Sequence, residues 1–148
     1  MGRGKGGYTK IQVWYKDSGG RKVTDRGAIF VAERYMDQGF EVVFRRHHSG
    51  RSYDLSIKSS DDRTFIKNIE VKKITSPSTS KIASRIKEGF SQFEAEKPDT
   101  VAIYLVNYPN CKESREFAYR GFNEAKRKGF IIGHVEIWFK DKTKMILN

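Results

Sequence analysis

Apolar residues recur along this chain with two spacings, and the switches between them lay out an order of elements. Residues 8–15 (YTKIQVWY) carry β-branched and aromatic side chains at strand density and run into the turn signal DSGG at 17–20. A helix is predicted over 25–38, with Thr24 as its cap and Gly39 just past its end. The run EVVFR (41–45) reads as a short strand that empties into the basic loop RRHHSGR. Alternation at 52–58 and 64–74 predicts two more strands, joined at SSDD (59–62). Beyond the loop SPSTS (76–80), Ile82, Ile86, Phe90 and Phe93 fall on one stripe of a helix over 81–95, with Ser80 as its cap. The stretch VAIYLV (101–106) is the continuous apolar run of a strand covered on both faces. A helix over 113–128 halts at Gly129, and strands are predicted at 131–139 and 142–146.

The order is therefore β-α-β-β-β-α-β-α-β-(β). A run of neighbouring strands followed by alternating helices and strands predicts an α/β domain with a mixed central sheet flanked by helices. No repeat or interior linker divides it, and 148 residues are one domain's worth of chain. Residues 8–148 form that domain, and the glycine-rich, basic residues 1–7 (MGRGKGG) read as a flexible leader or a remnant of cloning. They lack the apolar stretch of a signal peptide. No apolar run approaches the roughly 18 residues that span a bilayer, so no membrane partner is expected.

Charge changes the picture. There are 29 Lys and Arg against 18 Asp and Glu, a formal net charge of +11. Such an excess concentrates polyanions and speeds encounter with them, nucleic acid first. Cys111 is the sole cysteine, which excludes an internal disulfide and a cysteine-rich zinc site.

The chemistry sits on the two strands around SSDD. Side chains alternate across a strand, so Glu70 and Lys72 share one face while Ile69 and Val71 share the other. In the preceding strand Tyr53, Leu55 and Ile57 point one way, Asp54 and Ser56 the other. Paired as a hairpin, these strands bring Asp54 beside Glu70. On the first helix Glu33 lies on the side of Ile29, Phe30 and Met36, where a carboxylate is costly unless something positive meets it. A shared metal ion would meet it. Hard divalent cations take oxygen ligands, polarise a phosphate and acidify a water, and a lysine on the same face can orient that water. Asp54, Glu70 and Glu33 are thus candidate ligands for Mg²⁺ or Mn²⁺, and Lys72 a candidate catalytic group. The bland alternative is an exposed salt-bridged face worth little energy.

Around these residues lie candidate phosphate contacts. Arg45, Arg46, His47, His48 and Arg51 cluster just before Asp54, and phosphate contacts position a substrate without reading its sequence. Lys73, Lys81 and Arg85 follow the second strand into the next helix, whose hydroxyl-rich start suits a phosphate. Gln92, seven residues after Arg85, falls on the same stripe.

A helix with Glu33, Asp54 on a strand, Glu70-Val71-Lys72 on the next, then a helix, resembles the PD-(D/E)XK nuclease superfamily. The resemblance implies a restriction-endonuclease-like core in α-β-β-β-α-β order, metal binding at Asp54 and Glu70 with Glu33 as the helical acid, and Lys72 as the catalytic lysine. The proline of the motif is absent, since Tyr53 precedes Asp54. Within the superfamily, residues 26–105 resemble the C-terminal toxin domains of contact-dependent growth inhibition systems, several of which resemble tRNA nucleases. That implies an endonuclease acting on RNA before DNA, a cognate acidic immunity protein, and a secreted effector working in the cytoplasm of another cell. Three alternatives stay open on the residues alone. They are a nucleic-acid-binding module without catalysis, a metal-free ribonuclease using His47 or His48 as acid and base, and a basic surface that docks an acidic partner.

Overall fold

Strands that carry apolar residues at both parities must be covered on both faces, and among the described residues three helices cover them. The computed structural model describes residues 15–45, 53–61, 64–91 and 96–147. Over these residues the elements are α1 (Arg26–Asp37), β1 (Glu41–Phe44), β2 (Leu55–Lys58), β3 (Phe65–Ile74), α2 (Thr79–Ser91), β4 (Thr100–Leu105), α3 (Lys112–Arg127), β5 (His134–Phe139) and β6 (Lys144–Leu147). The fold is α/β, with a single mixed sheet whose six strands lie side by side in chain order. β1, β2 and β3 form an antiparallel meander, β3 to β5 run parallel, and β6 returns antiparallel.

That connectivity decides which helix covers which face. Both parallel steps cross over in the same direction along the sheet, so right-handed crossovers place α2 and α3 on one face. There they bury Ile74, Val101, Ile103, Leu105, Val135, Ile137 and Phe139. α1 precedes the meander and covers the other face, over Leu55, Ile57, Ile69, Val71, Ala102 and Trp138. Among the described residues no helix is long and apolar enough to cross a membrane.

The two helices on the shared face meet closely. A Cβ added at Gly121 of α3 would lie 2.4 Å from Ile82 Cγ2, and one at Gly89 of α2 would lie 2.6 Å from Val101 Cγ2. Gly121→Ala is expected to cost about 1–3 kcal/mol through overpacking, partly offset by the roughly 1 kcal/mol that alanine gains in a helix. Thermal unfolding followed by circular dichroism checks this. An unchanged midpoint would mean that α3 slides freely over α2.

Several boundaries move. The cap of α1 is Asp25 rather than Thr24, its Oδ1 accepting from Ala28 N at 3.1 Å. α2 starts at Thr79, and Ser78 Oγ, not Ser80, accepts from Lys81 N at 3.1 Å. Adjacent hydroxyl and carboxylate residues are equivalent caps by composition, so local pattern does not choose among them. Residues 8–14 of the first predicted strand lie outside the described residues. Residues 15–23 form a small hairpin, closed by Val23 N→Tyr15 O and Asp17 N→Arg21 O, each 2.8 Å, and tied to β1 by Ser18 N→Phe44 O at 2.8 Å.

Candidate active site

β2 begins at Leu55, opposite Ile69, whereas β3 runs on to Ile74. From Glu70 onward the β2-side edge of β3 has outrun its strand partner, and its backbone donors need other acceptors. Asp54, immediately before β2, supplies one: its Oδ2 accepts from Val71 N at 2.9 Å. Arg45 N in turn donates to Asp54 O at 2.8 Å. Continuing the register Leu55↔Ile69 by one step sets Asp54 opposite Glu70.

Glu70 and Lys72 share their parity with Ile74 and so project to the α2 side of the sheet. The polar row is therefore not an open one. α2 closes over it, and Glu70 is left 5% exposed. Lys72 Nζ lies 3.3 Å from Glu70 Oε2 and 4.0 Å from Glu88 Oε1 of α2. Glu88 is braced by Arg85, 3.1 Å away.

Electrostatics single out Glu70. Burial raises its carboxyl and the neighbouring Asp54 raises it further, while Lys72 pulls it back only in part, so it is pushed up to about 9. Its Oε1 is buried without a hydrogen-bond partner. Buried polar atoms are nearly always paired, so an orphaned carboxylate oxygen beside a second carboxylate calls for an explanation. A hard dication held by Asp54 and Glu70 would provide one, since it would satisfy the orphan and offset the repulsion. The donor set fits Mg²⁺ or Mn²⁺. Among the described residues no group of three His, Cys, Asp or Glu is gathered for a metal.

The other expected site residues scatter. Glu33 is half-buried and turned toward Tyr15, whose hydroxyl donates to its Oε2 at 2.9 Å. The buried stripe of α1 is Ala28, Val31, Ala32 and Tyr35. Ile29, Phe30 and Met36, expected to face inward with Glu33, are only half-buried. Small residues at 28 and 32 let the helix sit close to the sheet and choose the stripe. The acid that α1 brings toward Asp54 is its cap, Asp25, which lines the same cavity of about 150 Å³. Arg45 also lines it, pairing with Glu96 at 2.8 Å and lying over the Tyr53 ring. Lys73 lies on the α1 face, where a Cβ at Gly27 would come within 3.3 Å of its own. Lys81 Nζ donates to Ser76 O at 3.1 Å. Arg46, His47, His48, Arg51 and Gln92 lie outside the described residues. Glu88 carries no distinguishing sequence signal, since an Arg-x-x-Glu pair is ordinary on a helix surface.

Comparison with known protein families, curated proteins and solved structures returned no match. What the site does must be read from its own chemistry.

A second buried acid sharpens that reading by contrast. Glu136 on β5 is 1% exposed, yet every oxygen is served. Oε2 accepts from Tyr35 OH and from Lys67 Nζ at 2.8 Å, and Oε1 from Trp138 Nε1 at 3.0 Å, with Lys144 Nζ 3.7 Å away. Burial alone would raise its carboxyl, but Lys67, Tyr35 and Lys144 outweigh it and hold the group below its ordinary value. A lowered carboxyl contributes stability above its unfolded pKa and loses it as pH falls through the folded one. Lys67→Met is expected to cost about 1–3 kcal/mol at pH 7, with Lys144 and Tyr35 keeping the charge partly met. Urea denaturation should show that gap narrowing as pH drops below about 4. A gap independent of pH would assign the loss to packing. Glu136 is a satisfied structural acid, and Glu70 is not.

Proposed function

We propose that this chain is a divalent-metal-dependent nuclease that hydrolyses phosphodiester bonds at Asp54, Glu70 and Lys72. The observation that carries the reading is Glu70. It is a buried carboxyl with an orphaned oxygen, raised by Asp54 and held against a lysine. Perturbed groups of this kind cluster where charge is needed for chemistry. The order α1, antiparallel meander, α2 and a strand parallel to β3 is the one expected of a restriction-endonuclease-like core, and it supports the same reading.

In this reading Asp54 and Glu70 hold Mg²⁺ or Mn²⁺, which when bound polarises the scissile phosphate and eases deprotonation of the attacking water. Lys72, braced between Glu70 and Glu88, positions that water and donates toward the phosphate oxygen on which charge develops. Val71 N–H fixes the Asp54 carboxylate and so the spacing of the pair. Arg45 and Lys73 approach from the α1 side, where they steady flanking phosphates. RNA, with tRNA foremost, is the substrate that the toxin-domain resemblance favours over DNA. An acidic immunity protein and action in the cytoplasm of a target cell belong to the same reading.

The test is to incubate the protein with total RNA and, separately, plasmid DNA, with Mg²⁺ or Mn²⁺ and with excess chelator. Metal-dependent degradation of RNA is expected. Cleavage indifferent to chelator would transfer the chemistry to His47 and His48. Tight, salt-sensitive binding without cleavage of either substrate would leave a nucleic-acid-binding module.

A further inference from the structure

The cavity beside Asp54 is walled on one side by the hairpin over 15–23, which takes no part in the chemistry at Glu70 and Lys72. Its turn is rigid. Asp17 Oδ1 accepts from Gly19 N at 2.8 Å and Arg21 N at 3.0 Å, and Gly20 takes the positive φ of 82° that the reversal needs. The bond from Ser18 N to Phe44 O fixes the hairpin to the end of β1, and Arg21 and Lys22 line the cavity together with Asp54 and Ala28. Arg45, which also pairs with Glu96 at 2.8 Å, completes a set of three cations. Asp17, Asp25 and Asp54 line the cavity as well, each accepting from backbone N–H groups: Asp17 within the turn, Asp25 at the α1 cap and Asp54 from Val71.

The cavity's size narrows the ligand. About 150 Å³ is well below the roughly 300 Å³ at which small-molecule pockets begin. It suits one phosphodiester group and its waters, not a whole nucleotide. We infer that the hairpin is a phosphate clamp, in which Arg21 and Lys22, with Arg45, hold a backbone phosphate of the strand being cut, next to the scissile one. The clamp deepens the nuclease reading and rests on it for the identity of the strand. Phosphate contacts of this kind set register without reading bases.

The experiment separates the clamp from catalysis. With chelator present, binding of a single-stranded RNA oligonucleotide is followed by fluorescence anisotropy across a salt series. Wild type is compared with Arg21→Ala/Lys22→Ala and with Lys112→Ala/Arg120→Ala, which removes equal charge from exposed positions of α3, across the sheet. Each lost phosphate contact lowers the slope of log K against log salt by about 0.7 for a single strand. The hairpin variant is expected to lose about 1.4, and the α3 variant little. In turnover with metal, the hairpin variant should raise KM and spare kcat. A hairpin variant with the slope of wild type, or of the α3 variant, overturns the clamp even if wild type cleaves. A lost slope in a protein that cleaves nothing would keep the phosphate site and sink only the catalytic reading.

Discussion

Replacing Glu70 with glutamine is expected to stabilise the metal-free protein at neutral pH and to remove its thermal response to Mg²⁺ or Mn²⁺. The cause is the raised carboxyl. Burial and Asp54 push Glu70 up to about 9, whereas in the unfolded chain it titrates near 4.5. A group raised in this way contributes its full stability below the unfolded pKa and loses it progressively as pH rises toward the folded one. At pH 7 the folded protein must keep a proton that the unfolded chain has released, a cost on the order of 3 kcal/mol. Glutamine has the shape of the protonated acid and carries no such cost. The variant should therefore melt with wild type near pH 4 and above it near pH 8, by several degrees. Divalent cation should raise the midpoint of wild type and leave the variant unmoved, because one of the two carboxylates is gone. A variant less stable than wild type at pH 8 would show that Lys72 outweighs Asp54, and the case for a metal at this pair would go with it. Stability given up at one buried position is what a site built for an absent charge should show.

How much of this was legible before the fold was seen varies residue by residue. The alternation of β3 set Glu70 and Lys72 on a common side, a local fact that follows from a period of two. A hairpin around SSDD allows Asp54 to lie beside Glu70, but the turn alone does not fix the register, which shifts between Ile57 and Lys58. What the alternation could not say is that the polar side is covered. Parity names a face, and only the crossovers of α2 and α3 decide that a helix lies over it. An exposed row and a buried charged pair therefore look alike in sequence. Glu33 illustrates the same limit on a helix, because several stripes around α1 carry apolar residues. The one that packed uses Ala28 and Ala32 and leaves Glu33 to Tyr15. Glu136 draws partners from α1, β3 and β6, contacts too distant in the chain for any window to contain. The return leg of the 15–23 hairpin spans only Arg21 to Val23, too few residues for alternation to announce it.

Lys72→Met should collapse turnover while leaving metal binding and the fold in place. Lys72 is held from two sides, 3.3 Å from Glu70 and 4.0 Å from Glu88, so its ammonium is positioned before substrate arrives. A preorganised donor aimed at developing charge is worth about 10²–10³ in rate, and a lysine that also orients the attacking water adds to that. Methionine keeps the stem that fills the space under α2 and removes only the head. The expected signature is a fall in kcat of about 10²–10⁴ with KM nearly unchanged, the mark of a group that acts only in the transition state. The thermal midpoint should stay close to that of wild type, since Glu70 is predominantly protonated at neutral pH and does not lose an essential counter-charge. The rise in midpoint with Mg²⁺ or Mn²⁺ should also survive, because Asp54 and Glu70 are untouched. Lys72→Arg should rescue little, as a planar fork cannot take the place of a compact point donor between two carboxylates. Cleavage at the wild-type rate in Lys72→Met would remove the lysine from the chemistry and leave the two acids to account for it. Loss of activity together with loss of the metal response would make Lys72 a strut for Glu70. The two variants thus pull apart what one activity assay would merge, the holding of the ion by Glu70 and the work of Lys72 beside it.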